Sequence, residues 1–161
     1  MEIDWTLAGV AAAWAIILGG AGGALTEIGE WYHNLEKPSW QPPDWLFGPA
    51  WTIILGLSGW SLYLAWSQTD LEFEHIALAT LFGTNFVLHL AWSPLFFKAK
   101  RPDWALIENV FLWLSVAALC YWLSGYSGIV PWLNVPYLLW VTFAFALNWK
   151  VVQLNKPFGI A

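Results

Sequence analysis

Five long apolar segments, separated by short polar stretches, restrict what this chain can fold into. They run over residues 5–25, 46–66, 76–97, 104–123 and 130–154. Each is close to the roughly 20 residues that an α-helix needs to cross a bilayer. Backbone that faces lipid must satisfy its own hydrogen bonds, which favours helices. The sequence therefore predicts an all-α integral membrane protein, a bundle of five transmembrane helices that forms one domain over residues 1–161.

The composition supports a membrane location and excludes several classes of function. Hydrophobic residues make up 59% of the chain and charged residues 11%, whereas a soluble domain has about 45–50% and about 25%. The net charge of −5 argues against nucleic acid as a partner and leaves membrane lipid as the expected surroundings. The single Cys120 excludes an intrachain disulfide. Glu2 and Asp4 precede the first segment in place of a basic stretch, so we expect a retained helix rather than a cleaved signal peptide.

The charged residues predict the orientation of the bundle. With five spans, the connections alternate between two faces, and every basic residue falls on the face that also carries the C-terminus. These residues are Lys37, Lys98, Lys100, Arg101, Lys150 and Lys156. The opposite face carries an acidic rim of Glu2, Asp4, Asp70, Glu72 and Glu74. By the positive-inside rule the N-terminus lies outside and the C-terminus in the cytoplasm, and this distribution fits a cytoplasmic membrane best.

The connection between the first two spans is the longest and is rich in tryptophan and proline. Its sequence from Trp31 to Trp51 reads WYHNLEKPSWQPPDWLFGPAW. Each X-Pro step disfavours helix at the preceding residue, and tryptophan favours the interface between lipid and water. We therefore expect a stiff interfacial loop that can fold back over the bundle.

Polar residues at membrane depth are the first candidates for chemistry, because the sequence contains no nucleotide-binding or hydrolytic motif. Asn85, His89 and Trp92 share one face of the third span, at spacings of four and three. Two interpretations stay open. The three residues form a hydrogen-bonded patch that joins helices, or His89 faces a ligand cavity as a hydrogen-bond donor or as an axial ligand to haem iron. Apart from that option, no metal site is predicted, and His33 and His75 are given no role.

The fifth span carries a second stripe, in which Trp140, Ala144 and Asn148 follow one another at intervals of four. Such stripes usually pack against neighbouring helices. They can also form one wall of a flat apolar slot that suits a planar macrocycle. Tryptophans on other spans complete such a slot: Trp51, Trp92 and Trp113.

Two further features receive structural interpretations. Glu108 and Asn109 lie near the start of the fourth span, and we expect them to extend toward the cytoplasmic interface. Gly19 and Gly23 form a GxxxG pair in the first span, which permits close helix approach either within the bundle or at a dimer interface.

Three ordered blocks of the sequence resemble the TspO/translocator-protein family, also known as the peripheral-type benzodiazepine receptor group. The first block is matched by Trp31, Tyr32, Leu35, Lys37, Pro38, Trp40, Pro42, Pro43, Trp45, Phe47, Gly48, Pro49 and Trp51. The second is WSPLFF from Trp92 to Phe97, and the third is matched by Pro136, Tyr137, Leu138, Trp140, Ala144, Leu147 and Asn148. The resemblance covers nearly the whole chain and indicates a bacterial member.

The resemblance implies a five-helix bundle, usually a homodimer, with a pocket beneath the first loop. It implies binding of porphyrins such as protoporphyrin IX and haem, and of isoquinoline carboxamides, with no cofactor required. The residues that match Trp51 and Trp140 line the pocket in the family. In some bacterial members they are credited with light- and oxygen-dependent breakdown of protoporphyrin IX, and would be the catalytic residues here. The expected ligand-binding residues are Trp40, Trp51, Asn85, His89, Trp92, Trp140, Ala144 and Asn148.

Three positions depart from the family pattern. His89 stands where many members have asparagine, and Asn85 stands where glutamine is common. Trp149 replaces the tyrosine that the sterol-recognition pattern of animal members requires, so cholesterol is not the predicted ligand. The leading hypothesis is a tetrapyrrole-binding sensor or translocator-type protein in porphyrin homeostasis. The alternatives are a porphyrin-degrading photo-oxidase and a transporter of porphyrins or other hydrophobic ligands.

Overall fold

The computed structural model describes residues 3–158, so Glu2 of the predicted acidic rim lies outside the described residues. All regular structure in this range is helical. The helices are α1 (Trp5–Ala24), α2 (Glu30–Asn34), α3 (Phe47–Trp66), α4 (Glu72–Ser93), α5 (Pro102–Leu123), α6 (Val130–Leu133) and α7 (Val135–Asn155). A 3₁₀ turn, Asp44–Leu46, precedes α3, and a π-helical turn, Pro94–Lys98, continues α4. Five of the helices are 20 to 22 residues long.

Local sequence signals explain several helix ends. The Asp4 carboxylate accepts hydrogen bonds from the backbone N–H groups of Thr6 and Leu7, at 2.9 and 3.0 Å, and so caps the start of α1. Pro102 opens α5, where a missing N–H costs nothing. The predicted fifth span is interrupted at Asn134, so that its first turn is the separate helix α6.

Four segments in the described range are long and apolar enough to cross a membrane: Trp5–Ala24, Glu72–Lys98, Pro102–Leu123 and Val130–Asn155. The remaining long helix, α3, has the length but falls short in hydropathy. It contains no charged residue, but its glycines, serines, tryptophans and tyrosine are only weakly apolar on such scales. The predicted count of five spans is therefore supported for four segments by length and hydropathy.

The long helices pack in a closed ring. Helix α1 contacts α3 and α4, α4 contacts α5, α5 contacts α7, and α7 returns to α3. The main core lies along the middle of this ring and includes Leu18, Leu55, Phe82, Val116 and Val141. A smaller apolar cluster of Tyr32, Phe96, Phe97, Ala105 and Val151 lies at the end of the ring that the first loop covers.

Contacts between loops define the two ends of the bundle. At one end, Asn155 of α7 exchanges two hydrogen bonds of 2.8 Å with the backbone of Glu36 in the first loop. At the other end, the Gln68 side chain bonds Ser127, which joins the second and fourth loops. The helices therefore alternate in direction, as the loop count predicts.

Helices α1 and α3 come very close together at Gly59, away from the GxxxG pair. A Cβ atom at Gly59 would lie 2.8 Å from the backbone oxygen of Ala11 and 3.3 Å from the Cβ of Ala15. A Cβ at Gly19 would meet only the end of Leu55, at 3.9 Å, and one at Gly23 would meet nothing within 4 Å. Within this chain, the GxxxG pair is therefore not where the two helices meet most closely.

The expectation that Glu108 extends toward the interface is wrong. Its side chain is 8% exposed, and neither carboxyl oxygen has a hydrogen-bond partner among the described residues. Asn109 is 1% exposed. Because α5 begins at Pro102, Glu108 lies more than a turn and a half inside the helix, on a face that the bundle covers.

Candidate functional site: an aromatic cavity beneath the first loop

A cavity of about 370 Å³ opens between the helices at the end that the first loop covers. Small residues of α1 form one side of it: Gly19, Gly22 and Gly23. Because these residues have no side chain, they leave room within the ring. The GxxxG pair thus contributes space to the cavity.

Aromatic rings form the opposite walls. The Trp51 ring centroid lies 6.1 Å from that of Trp140 and 4.8 Å from that of His89, both edge to face. Trp92 stacks on Phe96 with centroids 4.9 Å apart. Indole and phenyl surfaces in this arrangement suit a flat, apolar ligand.

The first loop covers the cavity through a polar cluster around Tyr32. The Tyr32 hydroxyl donates to Asp44 at 2.8 Å and accepts from the Gln41 amide at 3.1 Å. Burial and the hydrogen bond to Asp44 raise the pKa of Tyr32 above its ordinary value, so the phenol stays protonated and donates. The Lys37 ammonium bonds the Tyr32 carbonyl and lies 4.0 Å from the centre of its ring. All four of these side chains line the cavity.

A chain of buried hydrogen bonds runs behind the cavity wall. Asn85 of α4 bonds Ser115 of α5 at 2.9 Å and accepts from the Tyr137 hydroxyl of α7 at 3.2 Å. The Tyr137 hydroxyl also lies 2.8 Å from Nδ1 of His89. The predicted interhelical hydrogen-bond patch is therefore present for Asn85 and His89, and it joins three helices. His89 takes part in it and also lines the cavity. Trp92 takes no part in these bonds and stacks on Phe96 instead.

The structure places most of the sequence-predicted site residues on the cavity wall, and two elsewhere. Those on the wall are Trp51, His89, Trp92, Trp140, Ala144 and Asn148. Asn85 is fully buried behind Tyr137, and Trp40 packs on Phe143 with 48% of its surface exposed. That any of these residues binds a ligand stays a prediction.

Trp113, expected in the same slot, points away from the cavity and donates a 2.8 Å hydrogen bond to Thr142. Asn148 is engaged by the start of α5. With its nitrogen toward Pro102, it donates to the Pro102 carbonyl and accepts from the Leu106 N–H, each at 3.1 Å. The indole nitrogen of Trp140 is buried, with no partner in the described part of the chain.

Three functional candidates escaped the sequence reasoning. Tyr137 belongs to a matched block, but the sequence does not show that its hydroxyl joins Asn85 to His89. Tyr32 and Asp44 organise the cover of the cavity although they lie 12 residues apart in a loop.

No group of three or more His, Cys, Asp or Glu side chains that could hold a metal ion occurs within residues 3–158.

These observations define a class: a helical membrane protein with an aromatic cavity beneath a structured loop. A family model described as the TspO/MBR family matches residues 9–154. The chain is 36% identical over 146 residues to the tryptophan-rich protein TspO of Chlorobaculum tepidum, covering 87% of this chain and 90% of that protein. It is 39% identical over 143 residues to protein CrtK of Rhodobacter capsulatus, covering 84% and 85%. It is 36% identical over 126 residues to the human translocator protein, covering 78% and 75%. The chain belongs to the TspO/MBR family.

Proposed function

We propose that the protein binds tetrapyrroles in the aromatic cavity and acts as a sensor or translocator-type protein in porphyrin homeostasis. The observation that carries the proposal is the pair of indole rings, Trp51 and Trp140, that meet at the wall of a cavity covered by a structured loop. Burial of a planar apolar ligand there contributes about 25 cal/mol for each Å² removed from water. Aromatic contacts with favourable geometry add about 0.5–1.5 kcal/mol each.

The charge at the cavity mouth supports a ligand with acidic groups. Lys37 lies on the cavity wall, where its ammonium donates to the Tyr32 carbonyl. It forms no ion pair within the described residues, where the one ion pair joins Arg101 and Asp103. An ammonium with free N–H groups suits the carboxylates of a tetrapyrrole.

Titration of protoporphyrin IX into the detergent-purified full chain tests this proposal. Absorbance and fluorescence of the porphyrin should report saturable binding. Trp51→Phe and Trp140→Phe should each weaken it by about threefold to tenfold, the loss of one aromatic contact. Trp113→Phe is the matched control, because that indole lies outside the cavity. The proposal fails if nothing saturates, or if the control weakens binding as much as the cavity variants do.

A second candidate function is light-driven oxidation of the bound porphyrin by molecular oxygen. The observation that favours it is the contact between the same two indoles on the cavity wall, since adjacent indoles can act as electron partners for an excited chromophore. Illumination of the complex in air should bleach the porphyrin bands faster with the wild type than with Trp51→Phe or Trp140→Phe. Equal bleaching in all samples and in protein-free detergent would rule it out.

The same proposal includes a topology. We expect all five long helices to cross the membrane, α3 included, because it has 20 residues and no charge and packs within the ring. The distribution of basic residues supports a cytoplasmic C-terminus and an N-terminus outside. A bacterial cytoplasmic membrane fits this arrangement. A homodimer stays a prediction from the resemblance, and light scattering of the detergent complex would test it.

A further inference from the structure

We infer that Nε2 of His89 presents an electron pair to the cavity, so that the cavity favours metal-bearing over metal-free tetrapyrroles. The class of ligand, a tetrapyrrole, is taken from the proposed function. The state of the histidine follows from the chain of hydrogen bonds behind the cavity wall. Each bond in that chain fixes the direction of the next.

The chain starts at Ser115, whose hydroxyl oxygen lies 2.7 Å from the carbonyl oxygen of Leu112. Two oxygens this close need a proton between them, and a carbonyl carries none. The hydroxyl therefore donates to Leu112. Its oxygen is then left to accept from the Asn85 amide nitrogen, 2.9 Å away. This fixes the orientation of the Asn85 amide, whose oxygen faces Tyr137.

The Asn85 oxygen needs a donor, because Asn85 is fully buried. The Tyr137 hydroxyl, 3.2 Å away, supplies it. A phenol has only one proton, so toward His89 the Tyr137 oxygen can only accept. The 2.8 Å contact with His89 is therefore a hydrogen bond donated by Nδ1–H. In the neutral imidazole the other nitrogen, Nε2, then carries no proton.

Nε2 is also the nitrogen that is free to meet a ligand. It makes no hydrogen bond with the described residues, and the protein does not cover it completely. The His89 side chain is 9% exposed and lines the cavity, beside the Trp51 ring. A histidine whose second nitrogen donates to a fixed oxygen is also held in one ring orientation, which is how proteins prepare histidine to bind a metal.

This electron pair distinguishes between tetrapyrroles. The inner N–H groups of a metal-free porphyrin lie in the ring plane and point to its centre, so an axial nitrogen cannot accept from them. A metal-free ring over Nε2 would remove this nitrogen from water without supplying a new hydrogen bond to it. Iron(III) at the ring centre offers an axial position. A dative bond forms from Nε2 to iron, the bond from iron to an axial water or chloride breaks, and no electron is transferred.

The experiment compares iron(III) protoporphyrin IX with metal-free protoporphyrin IX on the detergent-purified full chain. We expect the wild type to shift the Soret band of the iron complex and to show a histidine-ligated electron paramagnetic resonance signal. His89→Gln should abolish both and weaken iron porphyrin binding by about tenfold or more. Its effect on metal-free porphyrin affinity should be much smaller, so that the preference for the iron complex is lost. His75→Gln is the matched control, because His75 stacks on Trp66 outside the cavity and should behave as wild type.

His89→Gly with added imidazole keeps the test independent of any packing defect. Free imidazole should restore the Soret shift if His89 supplies the axial nitrogen. The inference is overturned if His89→Gln keeps the shift, or if it weakens both porphyrins equally. In either case the wild type still binds metal-free porphyrin, so the proposed function stands. If neither porphyrin binds the wild type, both proposals fall together.

Discussion

A single methyl group at Gly59 tests whether the α1–α3 contact holds the bundle together. In Gly59→Ala, the new Cβ would lie 2.8 Å from the Ala11 carbonyl oxygen and 3.3 Å from the Ala15 Cβ. The nearest atom belongs to the backbone, so no side-chain rotation relieves the contact and α1 must shift as a unit. Overpacking of this kind costs about 1–3 kcal/mol. Since α1 also forms a side of the cavity, the shift would change the cavity as well.

Gly56→Ala provides the matched control. Gly56 lies three residues earlier in the same helix, and a Cβ there meets nothing within 4 Å. Replacing glycine with alanine in a helix interior is worth up to about 1 kcal/mol in helix propensity. That gain is common to both variants, so the difference between them isolates the steric cost. At about 2–4 °C per kcal/mol for a chain of this size, we expect the two melting temperatures to differ by several degrees.

The single cysteine makes the measurement simple. Cys120 is half-buried in α5, and a thiol-reactive fluorophore in detergent will label it as the bundle unfolds. We expect Gly56→Ala to melt at or slightly above the wild type, and Gly59→Ala to melt clearly below it. Coincident melting of the two variants would refute the close contact between α1 and α3. It would also mean that this part of the ring is looser than the structure shows.

Two further predictions concern the loop over the cavity and the orientation of the chain. Asn155→Ala removes both hydrogen bonds to Glu36, and each is worth about 0.5–1.5 kcal/mol. Bound porphyrin should therefore leave several-fold faster in stopped-flow measurements, whereas Gln153→Ala at the same helix end should not change the rate; equal rates would contradict a role for Asn155 in holding the loop. For orientation, single cysteines at Lys156 and at Thr69 in a cysteine-free background should react differently with an impermeant maleimide on intact cells. Only the cysteine at Thr69 should be labelled before permeabilisation, and the reverse pattern would contradict the predicted topology.

Much of the helix layout could be predicted because the polar breaks between apolar segments are sharp. The predicted segment 46–66 corresponds to Phe47–Trp66, and 104–123 corresponds to Pro102–Leu123. The fold-back of the first loop also follows from its prolines and its tryptophans. The break at Asn134 was missed, although Pro136 in the first turn of α7 is a local signal for a helix start. The bonds from Asn134 to Ser58 and Ser61 that hold the break in place are long-range, and no local pattern reveals them.

The depth of a residue along its helix was harder to predict than the helix face on which it lies. Asn85 and His89 share a face of α4, as their spacing requires, but they are four residues apart and so about 6 Å apart along the axis. Tyr137 from α7 fills the space beside Asn85, so the cavity ends at His89. The position of that ring depends on how α7 packs against α4, which a single helix does not encode.

The remaining errors concern the rotation of each helix about its axis. Polar residues indicate which face of a helix meets the bundle, and apolar residues do not. A helix that is apolar on every side gives no indication of which face meets lipid, since both its surroundings are apolar. Ile16 and Leu139 are 72% and 66% exposed on the outside of the ring. Trp113 is half-buried, and its indole N–H donates to the exposed Thr142.

Polar side chains within the spans behave differently, because lipid offers them no partner. The buried polar residues of the long helices turn inward: Ser58, Ser61, Asn85, His89, Ser93, Asn109 and Asn148, together with Glu108. Glu108 obeys the same rule. It is the seventh residue of α5, about 9 Å along the axis from the helix start. At that depth an inward position shields it from lipid, so the polar residues themselves indicate how α5 is rotated.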